Sequence, residues 1–138
     1  MALTGRRRRG RDGTHVGPSF SRPLTGLVFV AAGLLHFAVP GVYERIMPPY
    51  LPLHRGLVHA SGAAEVLGGL GLLPALTRRV AGVCLVLLLA AVLPANVQML
   101  LDARTAGKPS WWLTLLWLRL PLQAVLAAWV WRVSRAGG

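Results

Sequence analysis

The sequence predicts an all-α protein, a four-transmembrane-helix bundle with both termini cytoplasmic. Three observations predict it. First, the 138 residues are 54% hydrophobic and only 14% charged, with a mean hydropathy of +0.56. An ordinary soluble domain is about one quarter charged. So short and apolar a chain has too little polar surface to cover a water-facing exterior, so lipid is the expected solvent. Second, four apolar runs alternate with short polar or proline-rich segments. Third, the last run is bracketed by tryptophans, Trp111 and Trp112 at one end and Trp129 and Trp131 at the other. As a helix that run rises about 30 Å, which sets its aromatic residues at both interfaces of an ordinary bilayer.

Residues 1–22 are rich in Arg, Gly and Ser without apolar period and read as a disordered basic tail. The first span follows at about 24–39, and Pro40-Gly41 stops it. No small-x-small cleavage site ends it, so it reads as a span rather than a signal peptide. Residues 41–55, with three prolines and two tyrosines, read as a tight interfacial segment with room for one helical turn. The second span, about 56–76, carries His59 and Glu65 among several glycines. Ala64 and Gly68 lie four apart, as do Ser61, Glu65 and Gly69, a spacing that lets helix backbones approach closely in lipid. A short turn at 77–79 leads to the third span, about 80–101, the most apolar of the four. There Pro94 removes the hydrogen bond to the carbonyl of Ala90 and bends the helix. A polar linker, 102–110, precedes the fourth span, about 111–131. Residues 23–133 thus form one domain, with 134–138 as a C-terminal tail.

Charge gives the orientation. The N-terminal tail, the 77–79 turn and the C-terminus hold ten of the 15 basic residues. The other side holds Arg45, Arg55, Arg104 and Lys108, offset by Glu44 and Asp102. The positive-inside rule puts both termini in the cytoplasm of a multi-pass membrane protein. The formal charge of +11 could suggest nucleic acid. The basic residues flank apolar runs instead of forming one patch, so no nucleic-acid partner is expected. The single cysteine, Cys84, permits no internal disulfide or CxxC pair and reads as a small buried apolar group.

Ionisable groups inside a span are expensive and need partners or water. Glu65 lies nine residues from Gly56 and Arg119 eight from Trp111. Both are therefore about 12–13 Å below the same face, and a Glu65–Arg119 pair is the economical expectation. His36, His59, Asn96 and Gln123 gather in the same outer half, Gln123 one turn from Arg119 on the same helix face. Pro94 and Pro121 free carbonyls that such side chains can reach. Two histidines without a third ligand or a metal-binding spacing read as hydrogen-bonding groups, so no metal site is expected. His15 and His54 read as solvated. No Ser-His-Asp arrangement, phosphate loop or paired carboxylates are present, and no catalytic residue is assigned.

The segments GLLHFAVP (33–40), ERIMPPYLP (44–52), SGAAEVLGGLGLL (61–73), PANVQM (94–99) and LRLPLQ (118–123), in that order and spacing, resemble the DoxX-like family of small bacterial membrane proteins. The resemblance covers about residues 26–129. It implies a four-helix bundle, multi-pass in the bacterial cytoplasmic (inner) membrane, with His36, Glu65, Asn96, Arg119 and Gln123 at polar positions of the family type. Members of the wider family are similar to subunits of thiosulfate:quinone oxidoreductase and to proteins of thiol or oxidative-stress systems. The fold also looks like that of a receptor-assembly chaperone of animal membranes. The absence of a cysteine pair departs from direct thiol chemistry.

The expected function is a non-catalytic membrane subunit. It would bind a small lipophilic or anionic molecule, such as a quinone, in the outer half of the bundle and support a redox or stress-related partner protein. No cofactor of its own is expected, and a homo-oligomer is open. The alternative is a scaffold or assembly factor whose polar cluster only locks the helices. A transporter is less favoured because broken half-helix pairs are missing.

Overall fold

The computed structural model describes residues 21–136. The expected basic tail, up to residue 20, and the last two residues of the expected C-terminal tail lie outside the described residues, as does His15. Five helices and no strand occur among the described residues: α1 (Ser21–Ala38), α2 (Pro40–Glu44), α3 (His54–Gly71), α4 (Arg78–Thr105) and α5 (Ser110–Arg135). Three of them, α1, α4 and α5, are long and apolar enough to cross a membrane. Large apolar side chains stand exposed along them, among them Leu27, Leu87, Trp117 and Val125. Together these features point to a membrane protein. Four charged or titratable residues (His54, Arg55, His59, Glu65) and five glycines hold α3 below the same hydropathy.

Several boundaries differ from the expected ones for local reasons. Ser21 and Arg22, expected in the tail, begin α1. Pro40 ends one helix by starting another: Val39 turns the chain, and Pro40 opens the single turn of α2 without needing its missing N–H. The segment beyond is held in place, because Nε2 of His54 lies 3.1 Å from the carbonyl of the buried Pro48. His54 is therefore a tether for this segment, not a solvated side chain. Leu53, just before α3, adopts φ 55°, the left-handed region that favours glycine.

The third helix stops at Gly71, five residues before the expected end. The Thr77 hydroxyl donates to the carbonyl of Gly71 at 2.8 Å and satisfies one orphan acceptor of the last turn. At the other end of the chain, Ser134 and Arg135 belong to α5 and not to a tail. Ser134 is 1% exposed because Gly82 leaves a notch on α4 that its side chain fills. Cys84 is exposed on the outside of α4, not buried as expected.

Packing runs in the order α1, α3, α4, α5, and a lighter α1–α5 contact closes the ring. The α1–α3 seam is made by four glycines. A Cβ on Gly26 would stand 2.6 Å from the carbonyl oxygen of Gly69, and one on Gly33 would stand 2.5 Å from that of Gly62. The glycines are seven apart on each helix, so the same edge repeats every two turns and the two backbones touch twice. Small residues are what allow such approach where lipid gives apolar side chains no reason to prefer each other.

The α1–α5 closure lies at the end that carries the chain termini. There the Trp129 indole N–H donates to Thr25 Oγ1 at 3.0 Å, and Thr25 donates on to the Ser21 carbonyl at 2.7 Å. An apolar core of Phe29, Leu72, Ala81, Leu85, Leu89 and Val130 fills this end. A second, smaller core of Leu100, Ala103 and Leu116 sits between α4 and α5 near their connection. The polar residues lie between the two cores.

Candidate functional site

Glu65 projects from the middle of α3, one turn beyond Ser61 on the same face. Its neighbour is His36, in the last turn of α1, with Nδ1 3.5 Å from Glu65 Oε2. Both side chains are almost withdrawn from solvent, 10% and 13% exposed. The same His36 Nδ1 lies 3.0 Å from the carbonyl of Ala32 one turn back. A proton on that nitrogen is directed at the carbonyl, so Glu65 Oε2 is buried with no hydrogen-bond partner. Across the His36 ring lies Tyr43 of α2, stacked at 3.8 Å between centroids.

Arg119 of α5 enters from another wall of the same space. Nη1 approaches the Met99 sulfur at 3.8 Å, a weak acceptor for so strong a donor. No carboxylate among the described residues lies within salt-bridge distance of Arg119; Glu65 stands that close to His36, an ion pair only when His36 is protonated, and Glu44 to the exposed Arg55 at 3.8 Å. The expected Glu65–Arg119 pair is thus replaced by a shared cavity. It holds about 100 Å³ and is lined by His36, Tyr43, Ser61, Glu65, Asn96 and Arg119 with Met47, Val58 and Val92 around them. The two charged groups also line a second cavity of about 250 Å³, together with Asn96, Gln123, Leu122 and Leu126.

The amides are satisfied. Asn96 Nδ2 donates to Gln123 Oε1 at 2.7 Å, and Gln123 Nε2 donates to the carbonyl of Leu89. That acceptor is the residue before Ala90, whose carbonyl Pro94 leaves without a helical partner. The two amides tie α4 to α5 beside the cavity.

Of the six residues expected to gather, the structure brings His36, Glu65, Asn96 and Arg119 to one cavity and Gln123 to its neighbour. His59 stays outside both and stacks on Phe37 at 5.3 Å. Six residues separate it from Glu65, about 240° around the helix, so the two cannot share a face. Tyr43 and Ser61 join the site unforeseen. The spacing of Ser61 and Glu65 was visible, but it read as helix packing. Nothing local announced that α2 folds Tyr43 back onto His36. The electrostatics of Tyr43 report both charged neighbours: burial raises its pKa above the ordinary 10.0, the Glu65 charge raises it further, and Arg119 acts the other way. Tyr43 therefore stays a neutral hydrogen-bond donor.

Among the described residues, no three His, Cys, Asp or Glu stand close enough to hold a metal ion. Chemically the site offers donors from Arg119 and Tyr43, one unsatisfied acceptor on Glu65, and apolar walls.

No curated protein and no solved structure matches the chain. A family model described as a domain of unknown function, DUF8561, matches residues 25–134, most of the chain, and the protein belongs to that family.

Proposed function

We propose that the protein is a four-span membrane subunit of the DoxX-like type that binds a small lipophilic or anionic molecule, a quinone being the leading candidate. The observation that carries this reading is a buried Glu65 carboxylate oxygen without a hydrogen bond, sharing one cavity with the exposed Arg119, whose guanidinium meets the Met99 sulfur. Buried polar groups are ordinarily paired, and such an exception calls for an explanation. A polar head supplies it: Arg119 and Tyr43 donate to its carbonyl or anionic oxygen, while Glu65 accepts from a hydroxyl or exchanges a proton. Apolar walls with a few converging polar groups are the usual form of such sites.

In this reading α3 is the fourth span. Its polar side is turned to the bundle interior between α1 and α4, which offsets its low hydropathy. Both termini lie in the cytoplasm of a bacterial cell, because the basic residues concentrate at that end. Electrons, where the bound molecule is redox-active, come from a partner protein.

The test is mass spectrometry of lipophilic molecules copurified with the intact protein. The wild type is expected to carry one and the Arg119→Leu variant to lack it. Equal loading of both, or none in either, contradicts the reading. The amide ladder supports a second reading, a scaffold: Asn96, Gln123 and the Leu89 carbonyl lock α4 to α5 whether or not a ligand binds. A scaffold predicts that Glu65→Ala lowers folded yield while nothing copurifies.

A further inference from the structure

The polar cavity is too small by itself for its proposed occupant. It holds about 100 Å³, and the neighbouring cavity that Glu65 and Arg119 also line holds about 250 Å³, whereas sites that enclose a drug-sized molecule hold roughly 300–1,000 Å³. A molecule whose head sits in the polar cavity extends into a neighbouring space.

The structure offers a place for it. A groove of about 410 Å³ runs between α3 and α4 under Met47 and Leu51. It shares Met47, Ser61, Val92 and Ala95 with the polar cavity, so the two spaces have a common wall. The rest of its lining is apolar, with Leu57 and Ala60 on α3 and Leu88, Ala91 and Pro94 on α4. Ala60 and Ala91 are small, which hollows the seam between the helices. Both are exposed together with Leu57 and Pro94, so the groove opens sideways onto the surroundings of the bundle.

We propose that the ligand is a chain-bearing amphiphile: a compact polar head in the cavity and an apolar chain laid along the α3–α4 groove, reached laterally from the bilayer. This rests on the reading that the polar cavity binds a lipophilic molecule. Three features name the occupant: the small volume of the polar cavity, the lining residues it shares with the groove, and the apolar lining of the rest of the groove. A water-soluble anion would need no such groove, and a chain without a polar head would leave Glu65 and Arg119 unmatched.

The test uses the full chain in one detergent and two probes, a benzoquinone with and without a decyl chain, with occupancy counted by native mass spectrometry. Ala91→Leu fills the groove from α4 without touching the polar cavity, and Ala60→Leu fills it from α3, so a folding failure of one leaves the other to report. Overpacking of this kind is expected to weaken the decyl probe about tenfold or more and leave the chainless probe unchanged. Equal affinity for the decyl probe in wild type and both variants overturns the proposal and leaves the groove to ordinary acyl chains. Binding of neither probe to the wild type overturns it in a different way, because the polar-cavity reading then fails first.

Discussion

The end of the bundle that carries the termini and the half that carries Glu65 are built from the same four long helices by opposite rules. At the termini end close contacts dominate, with one apolar cavity of about 220 Å³ beside Val86, Leu89 and Ala127. Gly26 meets Gly69, Ser134 fills the notch at Gly82, Trp129 ties α5 to Thr25, and Leu72, Leu85 and Val130 are fully enclosed. In the other half the polar cavity, its neighbour and the α3–α4 groove remain, and a carboxylate oxygen and a guanidinium face the first two without a strong partner among the described residues. Were cohesion all that this protein required, the whole bundle would resemble its termini end. The contrast argues that the open half is kept for something other than stability, as unsatisfied groups at binding sites generally are.

Substitutions can break this comparison or sharpen it. The largest effect belongs to the glycine seam. Gly33→Leu drives a side chain into the Gly62 carbonyl and Val66, where even a Cβ is 2.5 Å from the oxygen. Overpacking by single methylenes already costs about 1–3 kcal/mol, so loss of the monodisperse species in size-exclusion chromatography is expected. Gly41→Leu is the matching control, since a Cβ there meets nothing within 4 Å. Its thermal midpoint should stay near that of the wild type. Next comes Gln123→Leu, which leaves the Asn96 amide N–H without its acceptor and removes the bond across to the Leu89 carbonyl. A cost of about 1–2 kcal/mol is expected, read as a lower midpoint in denaturing-detergent unfolding. Trp129→Phe removes one bond to Thr25 at the termini end. About 0.5–1 kcal/mol should be lost, with no change in copurified ligand.

The smallest effect is pH-linked. The Tyr43 pKa is raised above 10.0, first by burial and then by Glu65. The folded state therefore holds the phenolic proton to higher pH than the unfolded chain does. Stability is untouched below pH 10 and falls from there up to the folded pKa, because the unfolded state releases its proton first. Tyr43→Phe should lack that alkaline fall when unfolding midpoints are compared across the range.

The sequence made the helical architecture and the polar layer legible, because both are written in local pattern. Apolar runs, a proline at each break and charges at equal depth need no knowledge of the partner helix. What escaped depends on contacts between distant segments. The Gly62 and Gly69 positions were visible, but their seats on Gly33 and Gly26 require the register of α1 against α3. Ser134 looked like a tail residue because the notch that buries it is at Gly82, on another helix. Glu65 and Arg119 were placed at one level from the sequence and line the same cavities, yet depth does not fix azimuth, and His36 stands nearer to Glu65 than Arg119 does. Tyr43 escaped for a simpler reason: Pro40 was read as an end, and it begins the turn that carries Tyr43 over His36.

The account stands or falls on whether Glu65 holds the bundle together or waits for a ligand. The direct measurement is the unfolding midpoint of delipidated Glu65→Met protein beside wild type, in the same detergent. Replacing an unmatched buried carboxylate by an apolar side chain of similar length is expected to leave the midpoint unchanged or raise it. A fall as large as that of Gln123→Leu would make Glu65 a structural lock and contradict the claim.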